Sequence, residues 1–264
     1  MDNVLDNFLI TSFEPQDGLW YGWHLNGALA YLKREGEIWQ AAYTVLPLKD
    51  ITDEWYGPKE EIPPEGLLCS MTVGPGTGLT LYPSYISEKP YLVPLPEKVS
   101  LVPAAEVRFT ALFPPLMSFE TEDNQRIAAF TPFTCADAWF GDDTASGFLC
   151  LSLRSSCITW DQAALCAAPR SLIRCPLVIR NRSKVPLELD RLAIDTESLS
   201  IYEHEGCAWS DTVAMDSLVG GNIEMNVLPE TRESYRKIRA AVRNGMSDIF
   251  IRQSADFIKN ITSL

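Results

Sequence analysis

SLIRCPLVIRNRSKVPLELDRLAIDTESLSIYEHEGCAWSDTVAM, residues 171–215, is the longest run in which apolar phase and turn residues agree. Ile173, Cys175, Leu177 and Ile179 share one parity while Arg174, Pro176 and Arg180 take the other. A period of two with one apolar side predicts a half-buried strand. The polar run Asn181-Arg182-Ser183-Lys184 then predicts a hairpin connection, because two of its side chains are able to bond their own backbone. Val185, Leu187 and Leu189 resume the alternation, but the next apolar residues are Leu192 and Ile194. The parity slip near Arg191 predicts a β-bulge. Leu199 and Ile201 continue, and after a turn at Glu205-Gly206 come Cys207, Trp209, Val213 and Met215 on one parity. The stretch therefore predicts an antiparallel meander with an apolar inner face and a polar outer one.

Outward from this stretch the same grammar continues. Asp17-Gly18, Asn26-Gly27 and Glu35-Gly36 separate short apolar runs between residues 8 and 46, as hairpin turns do. Pro47 to Gly66 is proline-rich and acidic, which predicts a long exposed connection. Gly74-Pro-Gly-Thr-Gly78 reads as a tight turn, since a phosphate cradle would carry Lys-Ser/Thr and open a helix. Alternating runs return at Tyr91–Val93, Val99–Val102, Val107–Phe113, Ile127–Phe130 and Phe148–Leu153, with prolines at their ends. Residues 161–170 are alanine-rich, Gly220-Gly221 breaks the chain, and Ile223, Met225 and Val227 form a last alternating strand before Pro229. Tyr235, Ile238 and Val242 then fall at helical spacing, and Ser247 caps a second expected helix with Phe250, Phe257, Ile258 and Ile261. The expectation is an all-β protein of two sandwich-like antiparallel units, residues 1–85 and 86–228, with a helical tail over 229–264.

Composition narrows the function classes. A chain of 264 residues that is 46% hydrophobic has ample material for a core. A net charge of −13 argues against covering a nucleic-acid backbone, which needs clustered cations. The tail departs from this balance: residues 229–264 hold seven Lys or Arg against four acids. Met1 to Asp6 is polar and acidic where a signal peptide is basic, and no apolar window reaches the length of a membrane span. Seven cysteines without tight pairing motifs read as thiols in a reducing compartment, so a cytoplasmic location is expected.

Several of these pieces carry a family resemblance. They are Lys89-Pro90-Tyr91-Leu92-Val93-Pro94-Leu95-Pro96 followed by Val107–Phe113, the Trp139-Phe140-Gly141 to Ser146-Gly147-Phe148-Leu149-Cys150 loop and strand, and Leu177–Ser183 with Leu189–Leu192, Tyr202 and Trp209–Asp211. Over roughly residues 85–228 the sequence resembles the family called domain of unknown function 432. Leu151-Ser152 and the expected C-terminal helices lie outside that likeness. The resemblance implies no activity, cofactor or catalytic residue.

Two histidines, His24 and His204, are too few for a histidine-rich metal centre. Glu203-His204-Glu205 has metal-ligand chemistry, but neighbours on a strand point to opposite faces, so a turn before Gly206 is expected instead. His24, in an aromatic strand, reads as a core or rim residue. Asp142-Asp143, near Asp137, offers hard oxygen atoms in a glycine-flanked loop, without the ligand ladder of a calcium loop. Cys150, Cys157, Cys166 and Cys175 are spaced too widely for a zinc knuckle and read as small buried apolar residues. Seven tryptophans supply core and also the material of a sugar-stacking or peptide-binding platform. Trp55 sits in the acidic connection, where no inner face explains it. The expected ligand-binding residues are Trp55, Trp139, Asp142 and Asp143, with no catalytic residue, metal or cofactor. The expected function is a non-enzymatic ligand- or protein-binding module, with a protein partner or self-association through residues 229–264. The alternatives are a carbohydrate-active hydrolase using paired carboxylates and a structural subunit of an assembly.

Overall fold

The computed structural model describes residues 12–25, 28–45, 55–67, 69–76, 78–86, 89–141, 147–153, 158–159, 168–218 and 223–242. Every regular element among them is a strand, numbered in chain order. A five-stranded sheet has the order β5 (Trp55–Glu60), β2 (Trp20–Leu25), β3 (Ala28–Glu35), β4 (Ile38–Val45), β6 (Cys69–Val73). A four-stranded sheet has the order β1 (Ser12–Phe13), β7 (Leu79–Tyr85), β10 (Pro115–Thr121), β11 (Arg126–Phe130). Another has the order β12 (Cys135–Phe140), β13 (Phe148–Leu153), β8 (Tyr91–Leu101), β16 (Leu187–Ile194). The eight-stranded sheet runs β14 (Ile158–Thr159), β9 (Glu106–Phe113), β15 (Ile173–Asn181), β18 (Cys207–Ser210), β17 (Ile201–His204), β21 (Arg236–Arg239). There β19 (Thr212–Ser217) pairs with β15 and with β20 (Ile223–Leu228). One hydrophobic cluster takes side chains from all four sheets, from Trp23 to Met225.

The short-range turns follow the sequence. Two-residue connections join β2 to β3 and β3 to β4, with Leu25 opposite Ala28 and Glu35 opposite Ile38. Glu205 and Gly206 take φ of 51° and 69° between His204 and Cys207, as the tightest hairpin turns require. The expected bulge is present: the register of β16 against β8 shifts between Leu189 and Arg191.

Three expectations are corrected. First, Asn181–Lys184 is not a hairpin turn: β16 pairs with β8, in a different sheet from β15. Asn181 is buried and makes the corner, donating from Nδ2 to the carbonyls of Leu101 and Val185 and accepting the amide and hydroxyl of Ser183 on Oδ1. The side chains that suit a hairpin serve a sheet-to-sheet crossing equally well. That crossing lets β15 run parallel to β18 and β19, so the units are not purely antiparallel. Parallel pairing needs a long crossover, which β16 supplies, and it suits a strand covered on both faces, as β15 is.

Second, Trp209 does not share the core parity of Val213. Ala208 and Val213 are core residues, whereas Trp209 packs with Leu112 and Leu172 in a small separate cluster. The parity slips at Asp211, where β18 passes into β19. The buried Asp211 carboxylate holds this fork, accepting the Ser200 amide at 2.7 Å, the Tyr202 hydroxyl at 2.7 Å and the Glu230 amide at 3.0 Å.

Third, the described part of the tail is not helical. A turn at Glu233-Ser234 leads into β21, which pairs antiparallel with the edge of β17. Arg239 donates to the buried Glu120 carboxylate at 2.9 Å and to the Pro83 carbonyl, and Arg236 lies 3.4 Å from Glu203. Two half-buried apolar residues in ten fit either period, and the open hydrogen-bonding edge of β17 selects the extended form. The second expected helix lies outside the described residues.

Candidate functional site

The outer face of the five-stranded sheet is half roofed and half bare. Period two places Trp20, Gly22 and His24 of β2 on the same face as Leu29, Tyr31 and Lys33 of β3, by direct cross-strand pairing. Residues 61–67 cross this face. The Glu61 amide donates to the Trp20 carbonyl, and Glu61 Oε2 lies 3.1 Å from His24 Nε2. Gly22 leaves room for the Glu61 carboxylate, since a Cβ there would sit 2.5 Å from Oε2 and push it aside. Under the roof Leu29, Tyr31 and Ala42 form a small apolar cluster with Trp20 and Leu67. Burial, then the Glu61 carboxylate, pushes the Tyr31 phenol up to about 12, so it stays a neutral hydroxyl. Lys33 closes the margin, 5.3 Å over the Trp20 ring and 2.7 Å from Glu35.

The roof reaches Ala42 of β4 but leaves the Ile38 end of β4 and the facing residues of β6 bare. Ile38 is opposite Val73, and Met71 is opposite Gln40. These three apolar side chains are 41% (Ile38), 67% (Val73) and 72% (Met71) exposed. On the inner side Thr72 donates to the Ile127 carbonyl and Ser70 to the Ala41 carbonyl. β6 is thus fixed from beneath and bare above. Among the described residues it pairs with β4 alone, and it carries no charge and no proline to blunt its edge.

The residues expected from sequence fall in different places. The Trp55 backbone lies in β5 opposite His24, at the roofed end of this sheet, and its side chain lies outside the described residues. Trp139 is in β12, opposite Leu149, in another sheet. Its indole, 38% exposed, lies against Gly147, where a Cβ would come within 2.4 Å of the ring. Arg191 donates to the carbonyls of Trp139 and Gly141. Asp142 and Asp143 lie outside the described residues. Trp55 and Trp139 are therefore not brought together. Trp23 and Trp39 are core.

Glu203-His204-Glu205 is engaged by the tail. His204 stacks on Tyr235 at 4.1 Å, with Nδ1 3.1 Å from the Ser234 carbonyl, and Glu203 accepts the Gly206 amide and Arg236. Among the described residues no group of three or more His, Cys, Asp or Glu is placed to hold a metal. Cys150 and Cys175 are buried thiols whose burial pushes each up to about 12, which removes nucleophilic thiolate at neutral pH. Sequence reasoning passed over Ile38, Glu61, Met71 and Val73. The charge-free run Cys69–Val73 was the available signal for an unprotected edge.

Fold and surface together define an all-β protein whose sheets share a core and whose edge strand β6 leaves Met71 and Val73 exposed. The chain belongs to the family described as Protein of unknown function (DUF432), whose model matches residues 31–257. The match is wider than the expected 85–228 and takes in Ile38, Met71 and Val73. No match is found among the curated proteins or the solved structures. No helix among the described residues is long and apolar enough to cross a membrane.

Proposed function

We propose that this protein is a binding module that acts through contact with a macromolecular partner, with the bare half of the five-stranded sheet as its contact surface. The observation that carries the reading is the contrast across one sheet face. Residues 61–67 roof its β2–β3 half, while Ile38, Met71 and Val73 stay open to water on the other. Covering an apolar side chain of this size contributes about 1.5–3 kcal/mol, so the open strip retains binding free energy that folding has not used. Edge backbone groups of β6 add hydrogen-bonding capacity of the kind used in strand addition.

The test is co-purification from the source cells with the full chain and with Met71→Lys. A species that accompanies the native protein, is lost with the variant and rebinds as a purified component supports the reading. Recovery of the same species with both proteins overturns it.

A further inference from the structure

We infer that the partner of β6 is a second copy of this chain, paired antiparallel across a two-fold axis through Met71. The inference rests on the reading of the bare strip as a contact surface and names its occupant. The geometry comes from the register. With Met71 opposite Met71 of the second copy, Ser70 faces Thr72 and position 69 faces Val73. Directly opposed residues of an antiparallel pair lie on the same face, so this register keeps each copy's bare side with the other's. Met71 and Val73 of both copies then cover one another above the sheet, and the hydroxyls of Ser70 and Thr72 meet below. A shift by one residue would set Met71 against Thr72 and turn the bare sides of the two copies to opposite faces of the joined sheet.

Charge also selects this occupant. The whole chain carries −13, which opposes self-association through most of its surface. Neither β4 nor β6 contains a charged residue, so two copies meet here without opposing like charges. A partner recognised by its cations would find no carboxylate on these two strands. Pro75 follows two residues after β6 and limits the pairing to a short ladder. A ladder of this size lies at the small end of specific interfaces, below about 1,200 Å², so the dimer is a weak one.

Sedimentation velocity of the full chain from about 5 to 500 µM reads the equilibrium, since weak contacts have dissociation constants between about 1 µM and 1 mM. The expected result is a concentration-dependent shift from monomer to dimer. Met71→Lys, at an exposed position, puts two ammonium groups on the axis and returns the protein to monomer, with unchanged circular dichroism. Met71→Cys supplies a readout that does not depend on that variant folding. Opposed Cα atoms in an antiparallel pair are about 4.5–5.5 Å apart, within disulfide reach, so mild oxidation gives a covalent dimer. Val185→Cys, an exposed site away from this sheet, is the collision control. Native protein that stays monomeric at 500 µM with no faster cross-linking at 71 than at 185 overturns the inference, as does a dimer that persists in folded Met71→Lys. A monomer whose co-purifying partner is still lost with Met71→Lys overturns self-pairing and leaves the contact surface standing.

Discussion

At the scale of single residues, carboxylates placed by hydrogen bonds fix much of the geometry. Glu230 accepts the Arg232 guanidinium at 2.6 Å, and that hydrogen bond, aided by backbone amides, holds its carboxyl down to about 2. A depressed folded-state value stabilises the protein fully above the unfolded value near 4.5, and the contribution is lost as pH falls toward 2. Glu230→Gln is therefore expected to melt below the native protein at pH 6, with the gap closing between pH 4.5 and 2. A gap independent of pH would refute the assignment. Little of this was legible beforehand. Sequence reasoning chose Trp55, Trp139, Asp142 and Asp143 for their chemistry, but surface exposure depends on which strand ends a sheet. Met71 looks like any core methionine until β6 is found at an edge.

Among the elements, β21 shows most clearly how position overrides spacing. Its apolar residues read as a helix, yet the open edge of β17 draws it into the sheet, where Arg239 reaches Glu120. Ending the chain after Leu228 removes β21 and leaves that buried carboxylate without its guanidinium. The expected loss is about 3 kcal/mol or more, roughly 6–12 °C in a chain of this size, by differential scanning calorimetry. A chain ended after Val242 keeps β21 and is the control. Equal melting of the two shortened chains would show that β21 adds nothing. The β3–β4 hairpin, which turns at Gly36-Glu37 one residue past the expected pair, the hairpin at Glu205-Gly206 and the bulge at Arg191 were readable because each is set by residues a few positions apart.

For the whole molecule, alternation reveals which side of a strand is apolar and says nothing about the neighbour it meets. The all-β class therefore followed from sequence, while the parallel pairing of β15 with β18 and β19 did not. The fork at Asp211 separates Leu177, in the shared core, from Trp209, in the small outer cluster. Leu177→Ala should cost about 2–5 kcal/mol in urea melts through lost burial and a cavity. Trp209→Phe should cost less than about 1 kcal/mol, because its indole N–H is buried without a hydrogen-bond partner among the described residues. Comparable losses at both sites would place Trp209 in the main core.

The ion pair between Arg239 and Glu120 also sets a timetable for synthesis. The two residues are 119 positions apart. At about 5–20 residues per second, the ribosome releases the guanidinium about 6–24 s after the carboxylate it must meet. During that interval β10 can pair with β7 and β11, and the hydroxyl of Ser118 is within reach of Glu120, but no cation has arrived. Strands β7, β10 and β11 therefore assemble around Glu120 before the strand that brings its cation has been made.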